Sequence, residues 1–339
     1  MSKSKILVTG GAGFIGSNFI HHVLGQNSGV EILCIDKLGY AGNLENLSSL
    51  LDRSDFHFQK VDITDEAALA AVFEAFKPQV VIHFAAESHV DRSIQSSTPF
   101  ILTNVLGTQI LLDVSRRQSI ERFVHVSTDE VYGDIAHTQA PSVETDPILA
   151  RNPYSASKAA SDLLVLSYVH TFGFPAVITR CSNNYGPYQF PEKFISLCIS
   201  NALEDKSLPI YGDGLQVRDW IYVTDHAEAI WQLAQKGKLG EIYNIGGHNQ
   251  PTNIDIARRI LKILGKPESL LTYVTDRLGH DRRYNLDDSK LIKQTGFSER
   301  VSLDEGLAKT VAWYKHNEAW WRHIKSGEYR AYYEKQYAR

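Results

Sequence analysis

Three cysteines, Cys34, Cys181 and Cys198, are too few and too scattered for a disulfide framework. No two of them have metal-ligand spacing, and their apolar surroundings predict reduced, buried thiols of a cytoplasmic protein. No apolar run is long enough to cross a bilayer, so no membrane partner is expected. Met1 to Lys5 leads directly into Ile6, Leu7 and Val8, with no apolar leader before the first expected strand. Long basic runs are missing too, and the net charge is -4, which argues against nucleic acid as a partner. The 13 histidines contain no H-E-x-x-H, and His21 and His22 are expected on the surface of the first helix. No metal is expected. Internal repeats and low-complexity linkers are absent as well.

What is present is a chain of 339 residues, 43% hydrophobic and 22% charged, enough for one large α/β domain or two modest ones. Short β-branched runs alternate with helical stretches: Ile6–Thr9, Glu31–Ile35, Phe56–Val61, Val80–Phe84, Arg122–Val126 and Ala176–Thr179 read as strands. Helical patterns follow Gly16, then cover Asp65–Phe76, Pro99–Arg117 and Asn152–Thr171. That rhythm predicts a doubly wound parallel sheet.

The first strand runs into Gly10, Gly11, Gly13 and Gly16, a G-x-G-x-x-G spacing that opens a helix. Glycines there let the backbone approach a pyrophosphate at a helix N-terminus. Asp36, about 20 positions on, ends the second strand as a ribose-binding carboxylate would. It would repel a 2′-phosphate, so NAD is favoured over NADP, although Lys37 beside it softens that preference. After the third strand, Asp62 and Ile63 are placed to meet an adenine ring; equally, Asp62 or Thr64 caps the next helix. The small residues Ala85 and Ala86 after the fourth strand let a flat cofactor lie against the backbone.

The strongest chemical signal lies past the fifth strand. Thr128, Asp129 and Glu130 sit at the C-terminal end of a central strand, the edge where open α/β sheets bind ligands. Tyr154 and Lys158, at i and i+4, share one helix face. Carboxyl pair, phenol and ammonium in one cleft make an acid/base site for a sugar-sized substrate; the plainer alternative is a capped loop followed by an ordinary amphipathic helix. After Arg180 the texture changes. Ser182–Tyr188 reads as polar turns and Pro209–Gly214 as a tight turn, followed by the stretch Val217–Val223, a helical Ala227–Gln235 and a strand at Ile242–Ile245. The second lobe is therefore expected to interleave with the first. The aromatic stripe from Trp313 to Tyr337 is assigned to packing.

Gly10, Gly13, Gly16, Asp36, Thr128, Tyr154 and Lys158 together resemble the extended short-chain dehydrogenase/reductases. Within that group the adjacent Asp129 and Glu130 resemble the dTDP-glucose 4,6-dehydratases; sugar-nucleotide 4-epimerases of the same fold lack the pair. Matching stretches run along essentially the whole chain: Ala85–Ser93, Asn183–Pro187, Phe190–Lys193, Arg218–Trp220 and Asp276–Tyr284. The fold implied is a Rossmann-type doubly wound parallel sheet over residues 1–180, with segments near 220–246 returning to it. Residues 181–339 would form mainly a smaller, interleaved substrate-binding lobe.

The resemblance implies a lyase cycle on dTDP-glucose: oxidation at C4, elimination of water across C5 and C6, and hydride return to C6. NAD⁺ would be tightly bound and regenerated in each turnover. Tyr154 would take the 4-hydroxyl proton, with Lys158 favouring its phenolate and Thr128 holding the 4-oxygen. Glu130 would take the C5 proton and Asp129 protonate the leaving 6-hydroxyl. Cofactor contacts implied are Phe14 and Ile15 at the pyrophosphate, Asp36, Lys37, Leu38 and Gly39 at the ribose, and Asp62 and Ile63 at the adenine. Phe84, Ala85, Ala86, Ser88, Thr103 and Asn184 would surround the rest. Substrate contacts implied are Glu87 at the hexose, and Asn183, Lys193 and Phe194 (usually leucine in the family) at the diphosphate. Arg218 would also bind the diphosphate. Pro209, Ile210 and Tyr211 would form the nucleobase pocket, although plain turn packing explains Pro209 and Ile210 equally well. Asn253, Asp276, Arg277, Leu278 (usually proline), Gly279 and His280 would close the far side. A homodimer through Pro99–Arg117 and Asn152–Thr171 is implied as well. The readings that compete are a 4,6-dehydratase of another nucleotide sugar (UDP-, GDP- or CDP-linked), which shares the chemistry, a 4-epimerase and a non-catalytic NAD-binding scaffold; the acid pair argues against the epimerase, and Thr128 with Tyr154 and Lys158 against the scaffold.

Overall fold

Apolar runs of four to seven residues, too short for helices, build the sheet on which everything else is mounted. The computed structural model describes residues 4–26 and 29–326. Among them the strands are β1 (Ser4–Thr9), β2 (Val30–Asp36), β3 (Phe56–Lys60), β4 (Val80–His83), β5 (Arg122–Thr128), β6 (Ala176–Cys181), β7 (Asn183–Tyr185), β8 (Leu208–Tyr211), β9 (Trp220–Tyr222), β10 (Ile242–Ile245) and β11 (Leu271–Val274). Seven of them form one sheet in the order β10-β6-β5-β4-β1-β2-β3. Every neighbouring pair in it is parallel.

The strands read as continuous apolar runs because helices cover both faces. Successive side chains alternate between two cores. Ile6, Val8, Ile82, Val124 and Val177 pack with Ile20 and Val23 of the helix Phe14–Gln26 and Ile230 and Leu233 of the helix Val223–Lys236. Their neighbours Leu7, Val81, Phe123 and Ile178 pack on the other face. There they meet Leu69 of Glu66–Phe76, Leu111 of Thr108–Arg117 and Val165 of Pro153–Phe172. A third core, around Cys198, Ile256, Leu307 and Trp321, belongs to the helices Phe194–Leu203, Asn253–Leu264, Leu303–His316 and Glu318–Ser326. The chain leaves the large sheet after β6 and returns to it at β10, which pairs with β6. Interleaving is therefore built into the connectivity.

Several expectations change in detail. Ser182–Tyr188 is not all turn: Asn183–Tyr185 is β7 and pairs in parallel with β9. Pro209, Ile210 and Tyr211 lie in β8, paired with β11, and the turn begins only at Gly212. These strands are three and four residues long, and polar residues or proline mask so short a pattern. The helical stretch over Pro99–Arg117 is wound as a π-helix from Ile101 to Gly107. Such wide turns often mark functional positions. Here Asn104 accepts from the Glu87 backbone N–H at 2.8 Å and donates to the Glu87 carbonyl at 2.9 Å. His22 is not a surface group: its Nε2 lies 2.8 Å from Glu228 Oε2, and only 10% of its side chain is exposed. His21 Nε2 lies 2.8 Å from the Asn46 carbonyl oxygen. The three cysteines are buried and unpaired. Trp313 and Trp320 stack edge to face with Tyr188, as packing residues do. The stripe beyond Ser326, to Tyr337, lies outside the described residues.

Gly10 shows how tightly the site is mounted. Its φ is +68°, and a Cβ there would fall 2.6 Å from the Ala85 Cα. A displaced β4 loop is the only relief, because the obstacle is backbone. Gly10→Ala is expected to lower unfolding free energy by about 2–3 kcal/mol. Urea unfolding of the variant checks this; an unchanged midpoint would refute the close approach.

Candidate active site

All seven parallel strands end at one edge, and strand order reverses between β1 and β4. A crevice opens there by topology alone. It is a cleft of about 390 Å³ that runs from the glycine turn to the second lobe. Gly10, Gly13, Phe14, Ile15 and Gly16 line one end, where the helix Phe14–Gln26 begins. A Cβ on Gly16 would fall 2.5 Å from the Gly10 carbonyl oxygen, so only glycine lets the helix start so close to the turn. Asp36 follows at the end of β2, its Oδ2 accepting from Ala12 N at 3.1 Å and its Oδ1 from Leu38 N at 2.8 Å.

Lys37 reaches across to Thr103 Oγ1 at 3.1 Å and to Glu87 Oε1 at 3.0 Å. Gly39, Asp62, Ile63, Phe84, Ala85, Ala86, Ser88, Thr103 and Asn184 also line the cleft. Asp62 Oδ1 accepts from both the N–H and the hydroxyl of Thr64 at 2.9 Å, whereas the helix itself is capped by Asp65. The expected capping alternative thus falls to the next acid along. A backbone-lined turn at a helix start, with a carboxylate beyond it, fits a dinucleotide. Leu38 is the exception: it adopts φ +55° and packs on the core rather than lining the cleft.

The middle of the cleft holds the acid/base groups. Thr128 ends β5, and Asp129 and Glu130 open a single 3₁₀ turn. Thr128 caps that turn, accepting from Glu130 N at 3.3 Å and donating to Asp129 Oδ1 at 3.2 Å. The helix Pro153–Phe172 starts beside them behind a capping box made by Asn152 and Ser155. Its first turn delivers Tyr154, and one turn later Lys158 donates to the Val126 carbonyl at 2.8 Å. Both the caps and the gathering of these side chains at one cleft are therefore features of the two motifs.

Burial governs the charges. Asp129 is pushed well above the usual aspartate range, first by desolvation and then by Glu130. Its Oδ2 has no hydrogen-bond partner among the described residues. Glu130 is also raised by burial, but Lys193, Arg218 and Arg277 pull it back down. The two carboxyls are thereby set apart. Tyr154 is pushed well above its usual value by burial, Glu130 and Cys181, and a hydrogen bond with Thr128 opposes this. Lys158 falls to about 8 through burial. Burial, Glu130 and Cys181 thus oppose the phenolate.

At the far end, Glu87, Asn183, Lys193, Phe194, Pro209, Tyr211, Arg218, Asn253, Arg277, Gly279 and His280 line the cleft. Arg218 is anchored by the carbonyls of Val217 and Asp281, each at 2.8 Å, and stacks over Tyr284 at 4.4 Å. Arg277 pairs with Asp91 at 2.5 Å and lies over Tyr211 at 5.2 Å. Three expected contacts lie elsewhere. Ile210 is fully buried in the third core, because alternation along β8 turns it away from the side that Pro209 and Tyr211 present. Asp276 supports the loop from behind, 2.6 Å from His280 Nδ1. Leu278 is 77% exposed and points away.

The cleft also gathers residues that no motif singled out as contacts, among them Tyr40, His89, Asn152, Glu192 and Tyr284. Glu192 and Tyr284 lie in the matching stretches beside Lys193 and Arg283, so their neighbourhood was visible. Tyr40 carried no signal beyond its nearness to Asp36.

The raised Asp129 has a stability consequence whose sign comes from linkage. A folded-state pKa above the unfolded one, near 3.9, makes the folded chain bind the extra proton. Stability from that proton is full below the unfolded pKa and is lost as pH rises towards the folded one. Asp129→Asn removes the penalty, so its stability advantage over the native chain should open above about pH 4 and widen with pH. Urea titrations of both proteins from pH 4 to 8 measure it. Parallel pH slopes would show that Asp129 is not perturbed.

Comparison with known proteins agrees with this geometry. A family model described as GDP-mannose 4,6 dehydratase matches residues 7–310. A dTDP-glucose 4,6-dehydratase of Neisseria meningitidis is 48% identical, across 96% of this chain and 97% of that protein. A crystal structure of dTDP-glucose 4,6-dehydratase from Bacillus anthracis, in complex with NAD, has a TM-score of 0.89 at 45% identity and covers 95% of this chain and 100% of that one. The Streptomyces venezuelae dTDP-glucose 4,6-dehydratase, crystallised with NAD bound, has a TM-score of 0.92 at 44% identity over 95% of this chain and 100% of its own. Full-length identity at this level, over a cleft with this acid pair, establishes the family: the chain belongs to the dTDP-glucose 4,6-dehydratases.

Proposed function

We propose that this chain converts dTDP-glucose into dTDP-4-keto-6-deoxyglucose and water, in deoxysugar biosynthesis. The observation that carries the reading is the carboxyl pair at the end of β5, buried Asp129 and half-buried Glu130, which desolvation and neighbouring charges set apart, beside Tyr154.

The cofactor that suits the glycine turn and Asp36 is NAD⁺, as in the crystal structures of its relatives. When bound, it supplies an acceptor for hydride from C4 of the sugar and gives the hydride back at C6. Gly10, Gly13, Phe14, Ile15 and Gly16 would hold its pyrophosphate, Asp36 its ribose, and Asp62 and Ile63 its adenine. Tyr154 takes the proton of the 4-hydroxyl, while Thr128 holds that oxygen. The protein raises the phenol, so a positive charge next to it is what makes the transfer possible near neutral pH. Lys158, titrating at about 8, is still mostly cationic at pH 7. Glu130, whose upward shift from burial is opposed by three cations, is the group that takes the C5 proton. Asp129, shifted towards its protonated form by burial and by Glu130, gives its proton to the departing 6-hydroxyl. Lys193 and Arg218 would meet the diphosphate, for which a guanidinium is well matched. Glu87 would meet the hexose, and Pro209, Tyr211 and Asn253 the nucleoside.

Residues 1–180, with the return of 220–246, are assigned to cofactor binding, and 181–339 mainly to the sugar nucleotide. A cytoplasmic homodimer is also proposed. Its support is a set of exposed apolar side chains, Ile101, Leu102, Leu106 and Leu163, on the two long helical stretches. No helix among the described residues is long and apolar enough to cross a membrane. The alternative, a 4-epimerase, has no use for an acid poised to protonate a leaving hydroxyl.

Purified protein incubated with dTDP-glucose and no added cofactor should yield a sugar nucleotide lighter by one water in the mass spectrum. Unchanged mass with a galactose isomer would make it an epimerase instead. Glu130→Gln should slow overall turnover about 10²–10⁴-fold while oxidation at C4 continues, so reduced cofactor accumulates in the near ultraviolet. Full turnover in that variant would remove Glu130 from its role. Tyr154→Phe should abolish that absorbance in a single turnover, and an unchanged signal would mean that another group is the base.

A further inference from the structure

Tyr40 is a cleft residue that the chemistry leaves without a task. It stands in the loop after β2, four residues past Asp36, yet its partners come from the opposite side of the crevice. The Arg92 guanidinium stacks on its ring at 4.1 Å from the centroid. Phe190 meets it edge to face at 5.7 Å. Arg92 belongs to the short helix Val90–Gln95 after β4, and Phe190 to the loop after β7. In the large sheet, β2 lies on one side of the β1/β4 reversal, and β4 and β6 lie on the other; from β6 the chain continues through β7, in its own small sheet with β9, to Phe190. A contact from Tyr40 to these residues must span the crevice.

The far anchorage is itself braced. Arg92 Nε lies 3.4 Å from Glu192 Oε2, and the Glu192 side chain is 1% exposed. The near end of the same loop is tied across as well, by Lys37 to Glu87 at 3.0 Å. Gly42 lets the loop fold back: its Cβ would fall 2.7 Å from Asp36 Oδ1. Tyr40, Phe190 and Glu192 all line the cleft, together with the glycine turn and Asp36.

We infer that Tyr40 is a clasp residue: its ring, clamped between Arg92 and Phe190, holds the 37–43 loop across the crevice and retains NAD between turnovers. This inference rests on the cofactor reading above. An enzyme that reoxidises its cofactor within each cycle gains nothing from releasing it, and a contact between the two banks blocks its exit. Tyr40 makes no proton transfer in this scheme; it acts on the rate at which the cofactor leaves.

The test is cofactor retention rather than turnover. Native protein, Tyr40→Ala and Tyr40→Phe are passed through gel filtration, denatured, and assayed for NAD per chain. Exchange against isotopically labelled NAD gives the release rate. Native protein and Tyr40→Phe should keep their NAD, because the ring contacts survive without the hydroxyl. Tyr40→Ala should release it about ten- to a hundredfold faster, the scale of one cation–π and one aromatic contact. Added NAD should restore its turnover, and its circular dichroism should match the native protein, which separates a lost clasp from a lost fold. Native stoichiometry and exchange rate in Tyr40→Ala would overturn the inference. Failure of the cofactor reading looks different: native protein would then carry no NAD and gain no activity from its addition.

Discussion

The reversal of strand order between β1 and β4 is the constraint on which the rest depends. Parallel strands all deliver their C-terminal ends to one edge, and helices that start there bring their positive N-terminal ends to it. The glycine turn, Asp36, the β4 loop, the acid pair and the Tyr154 helix are consecutive products of the same geometry. None of them needs a dedicated scaffold. All but the Tyr154 helix, which starts only at Pro153, lie at or just past the end of a strand.

Proximity at that edge would be chemically inert in water. What changes the groups is burial. Asp129, Tyr154 and Lys158 are each shifted towards the neutral form by desolvation, and only then by their neighbours. Two carboxyls that are adjacent in the chain part company because Lys193, Arg218 and Arg277 oppose the shift at Glu130, while Glu130 itself adds to it at Asp129. All three cations come from the second lobe. Cations of the second lobe thus help to set apart the two carboxyls carried by the first. The cost is stability, since an unpaired buried carboxyl oxygen is retained where an amide would fold better.

Interleaving makes this cooperation rigid. Because β10 returns to the large sheet after the excursion through β7, β8 and β9, the second lobe is held at both ends. Its own core, built around Trp321 and Leu307, is separate from the two cores of the sheet. The lobes meet through apolar contacts, such as Leu291 and Phe297 in a core of the large sheet, and through polar ones, such as Lys193 to the Ser88 carbonyl at 2.8 Å.

The parallel sheet, the glycine turn with Asp36, and the pairing of Asp129 and Glu130 with Tyr154 and Lys158 were determined by the sequence alone. Strand periodicity, glycine spacing and an i, i+4 pair are local, and local order is what a linear pattern records. Even the plainer reading of the acid pair was legible, since Thr128 does cap the turn. What only the tertiary structure decided is everything that depends on which surfaces meet. Ile210 and Leu278 sit inside site motifs yet face a core and the solvent, because a strand's alternation and a loop's bend choose the direction of each side chain. Tyr40 finds its partners some 50 and 150 residues away at Arg92 and Phe190, a distance no local pattern spans. The direction of each pKa shift belongs here too, because desolvation is a property of the packed molecule and has no counterpart in the chain read residue by residue.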